Sequence, residues 1–183
     1  MKIGTKSILY GVHHFILHPV IVLRAWHILF GRPSLYEFCA ICTHDLGYWG
    51  QPNMDGEEGE EHPFIAAKWW FNDITPMSTP DSFWEPWKEF KYRVAKEILG
   101  HSRFYAEQMG MQVSRLFYAD KLAIYLYPRW LYLLISNASG EIHEYMRVEK
   151  HQDISNRKTQ LHWLIEVQCK TGLMGFNGSD WKK

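Results

Sequence analysis

The chain has 183 residues, 46% of them hydrophobic and 16% aromatic, enough apolar material for one domain with a sizeable core and no need of a second. Its 20 basic and 20 acidic residues balance, which excludes the basic footprint of a nucleic-acid binder and the cationic face of a protein held on an anionic membrane. A preference for any charged small molecule must then come from a local site.

Residues 1–12 read as a short lead-in. From about residue 14 to residue 29 apolar residues recur at helical spacing, until Gly31, Arg32 and Pro33 stop the pattern. The run is interrupted by His18, Pro19, Arg24 and His27, too polar for a membrane span, and no signal-peptide cleavage pattern follows it, so a cytoplasmic setting is expected. A second helix begins after Ser34, because Ser-Leu-Tyr-Glu fits a capping box with Glu37 at the third helical position, and Gly47 is placed to close it. Cys39 and Cys42 lie inside this helix; with Cys169 they make three cysteines without a second pair, so they are expected to be inert thiols. Residues 47–61 are a loop rich in Gly, Asp and Glu. Pro63 suits the first turn of a short apolar helix through residue 71, and residues 72–86, with three prolines, form a connecting loop. Further helices are expected over about 87–99, from His101 to near Gly110, over 113–126, from Pro128 to about Ser136, after Gly140, and over 157–170. The Gly-rich end from residue 172 reads as loose. No repeat and no strand pair is evident, so the fold class is all-α.

Asp120 is the most informative residue. Val113, Leu116 and Phe117 form a buried stripe, Asp120 falls on it one turn later, and Ile124 continues it; a carboxylate there needs a cation or strong donors. Lys121 is about 100° around the helix and is not the automatic partner. His18 shares a face with Val22, Trp26 and Leu29, where a lone histidine is more often a core residue with one hydrogen bond. His44 and Asp45 stand side by side at the end of an apolar helix. Together these residues offer imidazole nitrogens and carboxylate oxygens, a set suited to a catalytic zinc, manganese or iron ion and not to a closed thiolate site. His62 and His101, each at an expected helix start, read singly as caps and in this company as ligands of a second ion, with Asp45 bridging.

In this order the residues resemble the motif of the HD-domain metal-dependent phosphohydrolase superfamily. The likeness is carried by "HPVIVLRAW", "ICTHDLGYWG", "EEHPFIAA", "ILGHSRFYA" and "SRLFYADKLAI", spread over roughly residues 14–127. It implies a single helical-bundle domain in which His18, His44, Asp45 and Asp120 bind a first divalent ion and His62 and His101 complete a second, the metal being Fe, Mn, Zn, Co or Mg. His14 is the alternative to His18 as first ligand. The implied activity is hydrolysis of a phosphate ester or anhydride by metal-activated water, with a nucleotide as the favoured substrate class. Asp45 is then catalytic as well as a ligand, and Lys121, Arg103 and Arg115 are the basic residues nearest to hold phosphate. In the acidic loop a glutamate such as Glu58 or Glu61 is a candidate general acid or base. Tyr48 and Trp49 are candidates to stack a base, although helical aromatics are more often core. The superfamily's mixed-valent di-iron oxygenases share the same order of ligands, and a binding module without catalysis is a third reading. Exposed Trp and Tyr residues in the later helices suit a homodimer face; no nucleic-acid polymer and no membrane is expected as a partner.

Overall fold

The computed structural model describes residues 1–72 and 86–177. Among the described residues there is no strand. The chain runs through α1 (Ile3–Tyr10), α2 (Leu17–Phe30) and α3 (Leu35–Thr43), a 3-10 turn (Leu46–Tyr48), then α4 (Glu57–Glu60), α5 (His62–Trp70) and α6 (Pro86–Gly100). It continues through α7 (Arg103–Gln108), α8 (Arg115–Leu126), α9 (Arg129–Ser139), α10 (Glu141–Val148) and α11 (Arg157–Phe176). The all-α expectation holds, and no described helix is long and apolar enough to cross a membrane.

The interior has a main core and a second one beneath the C-terminal helices. In the first, Val22, Trp26 and Leu29 of α2 meet Ile41 of α3, Val94 and Ile98 of α6, and Leu116 and Leu122 of α8. Trp26 is 1% exposed, and truncating such a ring to Ala costs about 3–5 kcal/mol. The second core joins Val12, Tyr127, Tyr132, Ile142, Met146, Trp163 and Leu164. Helix α8 belongs to both sides because it packs against α2 and α11. The α11 contact is close: an added Cβ at Gly175 would lie 2.6 Å from the Leu122 Cβ, so the two backbones approach only because that side chain is missing.

Local chemistry explains most boundaries. Glu37 Oε2 accepts from the Ser34 N–H at 2.7 Å, the reciprocal arm of the expected capping box. The end of α3 comes at Thr43, earlier than a Gly47 stop implies; the Thr43 hydroxyl bonds back to the Cys39 carbonyl and accepts from the Trp70 indole. Cys39 and Cys42 are partly buried and burial pushes both thiols up, as expected for inert cysteines.

Four expectations are corrected. Residues 1–12 are not a lead-in, because α1 forms and buries Ile8; its apolar signal is too short to read alone, and it is held by the Gly4 N–H on the Gln51 carbonyl. The acidic loop contains the 3-10 turn and α4. His101 does not open α7, because Ser102 takes the N-cap position and accepts from the Tyr105 N–H, which leaves His101 in the tight turn after α6. The loose end begins later than residue 172, since α11 runs on through Phe176 by packing Gly172 against Tyr125. The connecting loop expected over 72–86 and the last residues fall mostly outside the described residues. Of the aromatics in the later helices, Trp130 and Tyr125 are exposed, whereas Tyr127, Tyr132 and Trp163 are buried and belong to the core.

Helix α8 is anchored at its start by Glu97 of α6, whose Oε1 accepts from the Leu116 N–H at 3.0 Å, while Ser114 Oγ donates to the Glu97 carbonyl. Burial, then the neighbouring Glu37, push the Glu97 carboxyl up to about 7, against the Leu116 bond. The folded chain therefore holds this proton more tightly than the unfolded chain, and the stability it contributes is complete below the ordinary glutamate value and lost as pH rises towards 7. Glu97→Gln keeps the acceptor and removes the titration. The fall in melting temperature between about pH 5 and pH 8 should shrink in the variant; an unchanged fall would show that Glu97 is not the titrating group.

Candidate metal centre

Each histidine of the cluster is delivered by a different local device. His18 lies in the first turn of α2 on its buried face, and Asp120 lies mid-way along the buried face of α8. His44 follows the last residue of α3, and Asp45 leads into the 3-10 turn. His62 begins α5, and Gly47 lets that helix pack directly on the 3-10 turn, since an added Cβ would strike the His62 carbonyl. His101 sits in the turn that joins α6 to α7. His18, His44, Asp45, His101 and Asp120 are all buried, and His62 is nearly so.

The decisive detail is which ring nitrogens are already committed. His44 Nδ1 faces the Ile41 carbonyl at 3.0 Å, His62 Nδ1 the Gly59 carbonyl at 2.8 Å, and His101 Nδ1 the Ile98 carbonyl. A carbonyl only accepts, so each Nδ1 carries its hydrogen and each neutral ring presents a lone pair at Nε2. Those lone pairs converge on acceptors. His62 Nε2 and His101 Nε2 are 3.2 Å apart. Asp45 Oδ2 lies 3.1 Å from His18 Nε2 and 3.2 Å from His44 Nε2, while its Oδ1 faces His62 at 3.6 Å and His101 at 3.9 Å. Asp120 Oδ1 is 3.1 Å from His18 Nε2 and 3.9 Å from His44 Nε2. His44 Nε2 and Asp45 Oδ2 are buried without a hydrogen-bond partner among the described residues.

Buried acceptors aimed at one another cost several kcal/mol unless a proton or cation lies between them. Among the described residues, two groups have side-chain atoms close enough to share an ion: His18, His44 and Asp120, and His44, Asp45 and His101. The residues present therefore fit a nitrogen and oxygen site for a divalent metal ion.

The electrostatics divide the imidazoles. Burial opposes charge on His44, but Asp45 and Asp120 outweigh it and push His44 up to about 10; the same balance raises His18. Burial and then His101 hold His62 well below the usual range, and burial and then His44 bring His101 down to about 4. Burial alone would raise Asp45 and Asp120, yet His44 and the other imidazoles beside Asp45, and Lys121 and His18 beside Asp120, hold both well below the carboxylate range. Without metal, protons on His18 and His44 balance the two carboxylates.

The cluster forms the floor of a cleft of about 540 Å³. Lys121 reaches its wall with Nζ 3.2 Å from Asp120 Oδ2, and Arg103 lies over the Phe117 ring. Tyr48 also lines it and stacks on His62 at 3.7 Å, so its ring buttresses an imidazole of the cluster. Other expected site residues lie elsewhere. Arg115 pairs with Glu37 at 3.4 Å in a separate cleft, Trp49 is exposed and off the wall, and Glu58 points to Asn53 on the surface. Glu61 precedes α5 and does not line the cleft; the acidic-loop carboxylates that do are Asp55 and Glu60. A carboxylate three residues along this turn points to another side, which loop composition does not reveal. His14, the alternative first ligand, turns outward and accepts from the Ile16 and Leu17 N–H groups at the start of α2.

Sequence reasoning missed the pair His13 and Glu141. Glu141 is fully buried, accepts from the Val12 N–H at 3.0 Å and the Ser139 hydroxyl at 2.7 Å, and has Oε2 3.2 Å from His13 Nδ1. His13 lines the cleft, its ring 5.2 Å from that of His18. The only sequence signal is the doubled histidine at positions 13 and 14. No known protein family, curated protein or solved structure matches this chain.

Asp120→Ala should remove tightly bound metal, and His101→Ala should lower the metal content while leaving the His18, His44 and Asp120 group, both read by elemental analysis of the purified protein. Because the ion replaces protons on His18 and His44, metal addition should acidify a weakly buffered solution, and affinity should fall as pH is lowered. Metal uptake without proton release would contradict this placement of the protons.

Proposed function

We propose that the chain is a metal-dependent phosphohydrolase acting on phosphate esters, nucleotides among them. The observation that supports it most is the set of carbonyl-tethered histidines whose free nitrogens converge, with Asp45 and Asp120, on the floor of a cleft that also holds Lys121 and Arg103. A bound divalent ion would lower the pKa of a coordinated water and neutralise charge on a phosphoryl oxygen. Lys121 and Arg103 supply charge-assisted hydrogen bonds to the remaining phosphoryl oxygens and orient the ester bond.

His13 is placed to serve the other end of the reaction. With Nδ1 facing both the buried Glu141 carboxylate at 3.2 Å and Ser7 Oγ at 3.0 Å, Nε2 is the nitrogen left for the cleft. In its protonated form His13 donates its Nε2 proton to the leaving oxygen as the bond from that oxygen to phosphorus breaks. The oxygen of water forms the new bond to phosphorus, its proton passes to solvent, and His13 regains a proton from solvent.

Chelation should abolish phosphate release from a panel of nucleotides, dinucleotides, cyclic nucleotides and simple monoesters, and divalent metal should restore it. Two irons per chain with oxygen uptake and no phosphate release would overturn the hydrolase reading in favour of an oxygenase. His13→Ala should lower kcat about a hundredfold on an alkyl phosphate and far less on p-nitrophenyl phosphate, whose leaving group needs no proton. Equal losses on both esters would remove His13 from proton transfer.

A further inference from the structure

The charges on the cleft wall are more numerous on the acidic side than a phosphate ester alone explains. Besides Asp45 and Asp120, the wall carries Asp55, Glu60 and Glu149, against only Arg103 and Lys121 as fixed cations. Lys121 is already 3.2 Å from Asp120. Asp55 and Glu60 have no ion-pair partner among the described residues, and Glu149 meets only His151, at 3.1 Å, and the Trp163 indole N–H, at 2.8 Å. The acidic group is also built in. Glu144 Oε1 accepts from the Met54 and Asp55 N–H groups at 2.8 and 3.1 Å, which fixes the acidic loop against α10. Burial, then Glu144, Glu60 and Glu149, push the Asp55 carboxyl up, the sign of a group short of a counter-charge.

The aromatic wall gives an independent indication. Tyr48 and Tyr132 are 7% and 3% exposed and line the cleft, yet neither phenol has a hydrogen-bond partner among the described residues. Buried phenols ordinarily find a partner; these two line the cleft with their hydroxyls free to bond a molecule bound there. Beside them the rings of Tyr145 and Trp163 stack at 6.2 Å on the same wall. Aromatic faces with carboxylates and free phenol oxygens are the chemistry that receives an organic cation.

We propose that the phosphate ester taken by this cleft also carries an amino or quaternary ammonium group, received by Asp55, Glu60 and Glu149 against the rings of Tyr145 and Trp163. The proposal rests on the hydrolase reading for the phosphoryl end and on the acidic and aromatic wall for the other. A polyphosphate would face Asp55 and Glu60, two carboxylates without an ion-pair partner among the described residues. A neutral polyol would satisfy the phenols and leave those carboxylates unpaired.

The test compares isosteric pairs on the metal-loaded full chain: phosphoethanolamine with propyl phosphate, and phosphocholine with 3,3-dimethylbutyl phosphate. Both kcat/KM and calorimetric affinity should favour the ammonium member by on the order of tenfold. In Asp55→Asn with Glu149→Gln the members of each pair should converge; the single variants provide the same comparison if the double variant fails to fold. Equal values within each pair for the wild type, or a preference unchanged in the variants, would overturn the proposal. Faster turnover of propyl phosphate or of nucleotides with neutral bases would overturn it while leaving the hydrolase reading intact. An ammonium preference in binding with no phosphate released from any ester would overturn the hydrolase reading and uphold the ammonium site.

Discussion

The centre of this protein is held in tension by one constraint: buried acceptors point at one another. Three imidazoles have spent their Nδ1 hydrogens on backbone carbonyls, which obliges their Nε2 lone pairs to face Asp45, Asp120 or each other. In a low-dielectric interior that arrangement is stable only with positive charge among the atoms. Protons on His18 and His44 supply it in the absence of metal, and a divalent ion can supply more. Metal affinity, proton release and local stability are therefore three readings of one balance.

The fold serves this balance by bringing short, firmly ended helices to a point. Thr43 closes α3 early, so that His44 and Asp45 leave the helix at its edge and turn inward. Gly47 admits α5 close enough for His62 to face Asp45, and Ser102 starts α7 one residue after His101, which keeps that imidazole in the turn. Helix α8 fixes Asp120 because Glu97 holds its first turn and Gly175 lets α11 lie against its back. None of these devices belongs to the buried cluster, yet each sets the direction of a side chain that does.

Above the cluster the cleft is asymmetric. Lys121 stands beside Asp120 and Arg103 over Phe117, while Asp55, Glu60 and Glu149 and an aromatic wall form the remainder. The His13 and Glu141 pair has the same logic as the metal cluster on a smaller scale. A fully buried carboxylate is tolerated because Val12, Ser139 and His13 surround it with donors, and its remaining effect is to fix one imidazole at the edge of the cleft.

The helical class, the core faces and two members of the buried cluster were legible in the chain because they depend on periodicity: His18 and Asp120 interrupt apolar stripes, and a charged or polar residue at such a position announces a partner. The same periodicity failed for α1, whose eight residues are too few to carry a pattern, and for the acidic loop, where composition says carboxylate but not which way each one points. Only the tertiary structure turned Glu58 outward and Glu60 inward, moved Arg115 to another cleft, and placed Glu141 against His13 from 128 residues away. Which residues are chemically unusual is a local property of sequence; which of them meet depends on helix ends, glycine-mediated approaches and turns, and these act across the whole chain.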